Sequence, residues 1–302
     1  MLVVENLILE TAKDLEELNI SATLYDMVIT IFCPLTVTYV KYDDGNLGCG
    51  MVVNTTTGGE KLPLELLEKL YQSCTFGRNP YEIVVEYAKK HSKLWSEKTF
   101  YNSVAISTLG ALSHRLMCKK LLEKEGCIVE EYRIGSKELF ESELRYLDKD
   151  DVVTIIGFAY WSFPSLVKKV KEVRVTELIN LKQFDVISLQ KIQPKIKVYH
   201  AANQKEALED SDVVFITGMS IPNETIFDIL RDCKNSRLKI LYGPSCFFYP
   251  KHLFDLGVDI IRAMKIPANN EFKQNLIDTR GYYPFRSPET IMLEICGNNF
   301  RR

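Results

Sequence analysis

From Val152 onward the chain alternates short, almost wholly apolar runs with amphipathic stretches. That rhythm constrains the fold more than any other feature. Val152 to Phe158 is one such run, and a helical stretch from Ser162 to Lys171 follows it. Val173 to Leu178, Lys195 to Tyr199, Asp212 to Thr217, Lys239 to Tyr242 and Val258 to Ile261 read as further strands, the last being the final clear one. Between them Asn203 to Leu208 is helical, and Ile226, Ile229, Leu230 and Cys233 fall at i, i+3, i+4 and i+7 of a helix. Pro250 to Leu256 reads as a short helix closed by Gly257. The piece from Asn180 to Pro194 is poorly periodic and reads as containing a loop. Short continuous apolar strands separated by helices imply a parallel sheet covered on both faces. The expected architecture is α/β, a doubly wound Rossmann-like sheet. Such sheets bind ligands outside the carboxyl ends of their strands.

The first half has a different texture. Asn6 to Leu18 is near a helical period. The β-branched runs Met27 to Phe32 and Leu35 to Val40, the turn Asp43-Asp44-Gly45-Asn46 and the run Leu47 to Val53 read as strands with a hairpin. Leu62 to Leu70 and Tyr81 to Lys90 look helical, and a longer helix is expected over Ser103 to Lys124. The charged cluster Asp148-Lys149-Asp150-Asp151 marks a boundary. We therefore expect a mixed α/β domain over 1–148 and a doubly wound domain over 149–302, consistent with a chain of 302 residues.

Charge and composition exclude several classes. A net charge of −2 is no footprint for nucleic acid, which attracts a basic face. No apolar run reaches the roughly 18 residues that span a bilayer. The first twenty residues carry Glu5, Glu10, Asp14, Glu16 and Glu17 where a secretory signal would be basic and then apolar. A cytoplasmic location is therefore expected, with a small molecule as partner and no nucleic acid or membrane. Homo-oligomerisation stays open. Eight cysteines contain no Cys-x-x-Cys pair, so closely spaced zinc ligands and a disulfide framework are not expected.

Four strand ends carry the candidate chemistry. The first is Gly157-Phe158, followed by Tyr160, Trp161 and Ser162. Gly157 permits a tight exit, Ser162 suits a helix N-cap, and the aromatics could stack on a flat ligand or pack on the neighbouring domain. The loop lacks G-x-G-x-x-G, which counts against a standard dehydrogenase. The second is Glu177, 20 residues after Gly157, where dinucleotide folds hold a ribose hydroxyl. A solvated or ion-paired glutamate is the plainer alternative. The third runs from Thr217 and Gly218 through Met219 and Ser220 to Asn223 and Thr225. Its hydroxyls and following helix suit a polar ligand edge, while Ser220 or Asn223 could simply cap. The fourth is Gly243-Pro244-Ser245-Cys246. Cys246 could be a soft-metal ligand or a nucleophile only with an activating neighbour. His91, His114, His200 and His252 are scattered, and each alone reads as structural.

These loops also carry a family resemblance. Ile155-Ile156-Gly157-Phe158, Val175-Thr176-Glu177, Asp212 to Gly218 followed by Asn223-Glu224-Thr225, Gly243-Pro244-Ser245 and Leu253 to Asp259 together resemble the prokaryotic family described as "putative heavy-metal chelation". Thr36 to Val40 and Leu47 to Met51 resemble its first hairpin, and Ser103 to Ile106 with Gly110 to Leu112 its Ala-rich helix. The family usually shows an Asn where this chain has Gly110, which implies that a polar contact is replaced, by Ser107 or Thr108. The resemblance implies an enolase N-terminal-like domain on a Rossmann-like domain, with a site in the cleft between them and a link to heavy-metal chelation.

Three functions follow as expectations. In the first, the cleft binds a small polar metabolite, such as a metal-chelating compound. Glu177 would be the acid/base group, and Gly157, Phe158, Thr217, Gly218, Met219, Asn223, Thr225, Gly243, Pro244 and Ser245 would bind. Its associated cofactor would be a heavy-metal ion or a chelating small molecule. In the second, Cys246 and Cys49 with a histidine carry or sense a soft metal directly. The third is a nucleotide-cofactor enzyme, methyltransferase-like or a dehydrogenase.

Overall fold

The structure is a computed structural model and describes residues 3–30, 32–54, 64–157, 163–177, 195–298 and 300. Its first element, α1 (Val4–Glu17), buries Leu7, Ile8, Ala12 and Leu15 along one face. Three antiparallel strands follow: β1 (Ala22–Thr30), β2 (Leu35–Tyr42) and β3 (Leu47–Val53), in that spatial order. The β2–β3 hairpin turns at Gly45, whose φ of 85° suits glycine. Asp44 Oδ1 accepts from the Asn46 amide at 3.1 Å within that turn.

Helices α2 (Leu64–Ser73), α3 (Pro80–Ala88) and α4 (Trp95–Ser113) complete this layer. Asn79 caps α3 by accepting from the Tyr81 amide, and Pro80 starts the helix where no donor is needed. Helix α4 is buried along nearly its whole length. It lies against β2 and β3 because those strands present glycine to it. A Cβ on Gly50 would stand 2.1 Å from the Ser107 carbonyl oxygen, and one on Gly48 2.3 Å from that of Ala111.

The helix expected over Ser103 to Lys124 is in fact two. Helix α4 begins earlier, at Trp95, and stops at Ser113; α5 (Lys119–Lys124) follows a bend. A tertiary contact ends α4. The Tyr42 hydroxyl, from β2, donates to the Ala111 carbonyl at 2.7 Å and accepts from the Arg115 amide at 3.3 Å. Cys118 is then extended, with φ −143° and ψ 151°. No local punctuation marks this break.

The large sheet has eight strands in the order β4-β11-β10-β9-β8-β5-β6-β7. They are β4 (Ile128–Arg133), β5 (Val152–Ile156), β6 (Glu172–Glu177), β7 (Ile196–His200), β8 (Val213–Thr217), β9 (Leu238–Gly243), β10 (Ile260–Lys265) and β11 (Ile291–Cys296). From β10 to β7 every neighbouring pair is parallel. Those six strands take the 3-2-1-4-5-6 arrangement of a doubly wound sheet. The helices α6 (Lys137–Leu144), α7 (Phe163–Lys169), α8 (Gln204–Leu208), α9 (Ile226–Asp232), α10 (Lys251–Asp255) and α11 (Asn270–Asp278) belong to this half. The fold is thus α/β, with a large, mostly parallel sheet and a smaller antiparallel one.

Two strands escaped the sequence pattern. β10 is not the last, because β11 pairs antiparallel with it, and β4 pairs antiparallel with β11. Strand β11 hid behind Glu294, a charge in the middle of an apolar run. Arg262 of β10 sits in register with it, its Nε 3.5 Å from Glu294 Oε2, and Arg145 also pairs with Glu294. Strand β4 exposes most of its residues, so its pattern is weak. Both β4 and α6 precede residue 149 and lie with the large sheet. One buried apolar cluster also runs from Val4 and Leu109 to Ile216 and Ile261, so the halves share a core.

Candidate functional site

The parallel strands end at a common edge, and the strand order reverses between β5 and β8. Loops leaving those two strands must diverge, which opens a crevice. Gly157 makes the turn after β5 with φ 73°, and a Cβ there would stand 2.7 Å from Thr217 Cγ2. Only glycine fits both the conformation and the space. Its carbonyl accepts from the Tyr242 hydroxyl, which also reaches the Ile156 carbonyl at 3.3 Å. Burial pushes the Tyr242 hydroxyl well above its ordinary range, and the charges of Glu177 and Glu143 push it further. It is thus a fixed donor.

Next to this turn, Glu177 is the last residue of β6 and His200 the last of β7, and the two are register partners. His200 Nδ1 accepts from the Ala202 amide at 3.1 Å. That leaves Nε2 as the proton-bearing nitrogen of the neutral ring.

After β8 the chain makes a tight 3-10 turn over Gly218–Ser220. Thr217 Oγ1 accepts from the Met219 amide at 3.4 Å, and Ser220 Oγ donates to the Thr217 carbonyl at 2.7 Å. The Asn223 amide donates to Met219 O, and the Thr225 amide to Ser220 O. Glu224, between them, takes a left-handed φ of 63°. From outside, α4 braces this turn: Asn102 Nδ2 donates to the Pro222 carbonyl at 2.9 Å.

The fourth loop leaves β9 at Gly243, φ 110°, and turns over Pro244–Cys246. A Cβ on Gly218 would stand 2.9 Å from the Cys246 amide, so these two loops touch. Ser245 Oγ accepts from the Val53 amide at 3.2 Å and donates to Met219 Sδ at 3.4 Å. Ser245 therefore ties β3 to both loops.

Together these loops enclose a cavity of about 680 Å³. Gly157, Glu177, Thr217, Gly218, Met219, Asn223, Thr225, Gly243, Pro244 and Ser245 all line it. Phe158, and with it Tyr160, Trp161, Ser162 and the stretch from Asn180 to Pro194, lies outside the described residues. Sequence reasoning missed His200, Gln204, Asp228 and Tyr242, and it missed Val53 and Phe285, which come from distant segments. His200 had a signal, since it ends its strand just as Glu177 does. Val53 and Phe285 had none.

Other candidates fall elsewhere. Ser107 and Thr108 do not reach the cavity; both sit against Thr38, at 2.8 Å and 3.4 Å between hydroxyls, and against the Val104 carbonyl. Gly110 has no room for a larger residue, because a Cβ would stand 2.6 Å from the Phe247 carbonyl oxygen. Asn102 supplies the polar link from α4 instead. Cys246 and Cys49 are both buried, and burial pushes both thiols up, away from the thiolate a metal or a nucleophile needs. Among the described residues no three His, Cys, Asp or Glu side chains gather as a metal-holding group. All eight cysteines are free. No helix among the described residues is long and apolar enough to cross a membrane.

Comparison with known proteins bears on the same region. Residues 139–288 match the family described as "Putative heavy-metal chelation". A structure of a protein of unknown function from this family, from Pyrococcus horikoshii, aligns with a TM-score of 0.66 at 19% identity. It covers 97% of this chain and 100% of that one. A second such protein, from Desulfitobacterium hafniense, aligns with a TM-score of 0.61 at 15% identity, covering 95% of this chain and 97% of that one. These likenesses establish the fold. An uncharacterised protein from Methanocaldococcus jannaschii is 37% identical over 59 residues, 20% of this chain and 23% of that protein. The match thus spans under a quarter of that relative's length.

Proposed function

Because residues 139–288 belong to the family described as "Putative heavy-metal chelation", we propose that the cleft binds a small polar metabolite with metal-chelating chemistry. One observation carries this reading. Four strand-end loops and the end of β3 converge on one cavity of about 680 Å³, a size suited to a small organic ligand rather than a bare ion. Glu177 is the candidate acid/base group, and Asn223 with the loop amides are the candidate binding groups. The metal belongs to the ligand in this reading, so the protein needs no ligand cage of its own.

The direct soft-metal carrier is the weaker reading, since the thiols it needs are buried and held protonated. Eight free cysteines suit a reducing compartment such as the cytoplasm. Native mass spectrometry of gently purified protein tests the proposal. A co-purifying polar compound that Glu177→Gln releases, with the melting temperature unchanged, supports it. Equal retention by the variant removes Glu177 from the site.

A further inference from the structure

The charge and shape of the cavity narrow the class of ligand. Its described lining includes the carboxylates of Glu177 and Asp228 and no lysine or arginine. A phosphate entering there would meet like charge and no counterion. The turn after β5 begins with Gly157 but offers no glycine fingerprint to bring backbone amides to a pyrophosphate. The cavity thus favours a neutral or cationic ligand.

Position supplies the second argument. The crevice opens where the strand order reverses, between β5 and β8, and Glu177 ends the second strand of the six-strand parallel set. A carboxylate has two acceptor oxygens set side by side. Their spacing suits the two hydroxyl hydrogens of a cis-diol, one to each oxygen. In doubly wound sheets this strand end holds the sugar edge of the ligand. Across the crevice Ile156, Met219, Pro244, Val53 and Phe285 offer apolar surface, as a flat heterocycle needs.

We infer that the metabolite is a nucleoside without phosphate, neutral or cationic, whose ribose diol is held by Glu177. This rests on the metabolite reading above and specifies its ligand. His200, beside Glu177 at the end of β7, lies within the same strand-end region and adds a hydrogen-bonding group at the sugar edge.

Isothermal titration of the full chain tests this with adenosine, guanosine, cytidine and uridine, and with the 2′-deoxynucleoside and 5′-monophosphate of whichever binds. We expect one ribonucleoside to bind, with the deoxynucleoside weaker by about tenfold or more, as a site built around a hydroxyl demands. The monophosphate binds more weakly than the nucleoside. Glu177→Gln removes the preference for the ribose form while circular dichroism reports the same melting temperature. Equal affinity for ribo- and deoxy-forms, tighter binding of the monophosphate, or no binding by any of the four overturns the inference. If the compound released by Glu177→Gln in the mass measurement has no diol, the nucleoside class falls and the metabolite reading survives. If no compound of any kind binds, both fall.

Discussion

Asn102 in α4 donates to the carbonyl of Pro222 at 2.9 Å, joining the first layer of the fold to the turn that carries Asn223. Its Nδ2 also lies 3.3 Å from Glu224 Oε1, and Lys98 Nζ lies 3.6 Å from the same oxygen. Glu224 holds a left-handed backbone, which costs roughly 1 kcal/mol for a residue with a Cβ and persists only under constraint. The brace is part of that constraint. Asn102→Ala leaves a buried carbonyl unsatisfied and should lower stability by about 1–3 kcal/mol. Denaturant unfolding measures the loss. Amide exchange should quicken at Asn223 to Thr225 ahead of the strands. Unchanged exchange there would remove the bracing role.

The contact of α4 with β3 is set by missing atoms. Gly50→Ala places a carbon 2.1 Å from the Ser107 carbonyl oxygen, where a backbone must move. We expect a loss of about 3 kcal/mol or poor folding. Gly45→Ala is the control. Its added methyl meets nothing within 4 Å and pays only the left-handed backbone cost of roughly 1 kcal/mol. Thermal melts of the two variants should differ in that order.

Arg262 and Glu294 face each other across β10 and β11, and both are buried. Arg262 NH2 also donates to Ser142 Oγ at 2.7 Å. Removing one partner strands the other's charge, so Glu294→Gln should cost about 3–5 kcal/mol. Arg262→Met with Glu294→Leu should cost less than either single change, because no lone charge remains. A double-mutant cycle by urea unfolding checks this. Additive losses would show that the two charges act independently.

His114 gives a pH dependence. Burial, with the nearby Lys265 charge, pushes its imidazole down to about 4 in the fold, although Nε2 donates to the Ile266 carbonyl at 3.1 Å. The unfolded chain has an ordinary histidine near 6.5 and so binds a proton first as pH falls. Stability from the neutral ring is therefore complete above about pH 6.5 and is lost progressively down to about pH 4. The loss is on the order of 3 kcal/mol at the low end. Urea midpoints across that window should fall less steeply in His114→Gln. Parallel curves would assign the acid sensitivity to other groups.

The alternation after Val152 and the glycines at 157, 218 and 243 made the parallel sheet and its ligand edge readable from the sequence alone. The reasons are local: a buried strand must be apolar along its length, and a tight exit favours glycine. Glu177 was legible as a strand end by the same logic. Tertiary structure alone decided the rest. The end of α4 depends on a hydroxyl from β2, and β11 tolerates Glu294 because Arg262 and Arg145 meet it. Val53 joins the cavity because its amide reaches Ser245 across 192 positions. Such contacts link residues far apart in the chain, where periodicity carries no information. The sequence determined which strand ends could form a site; packing determined which distant residues close it.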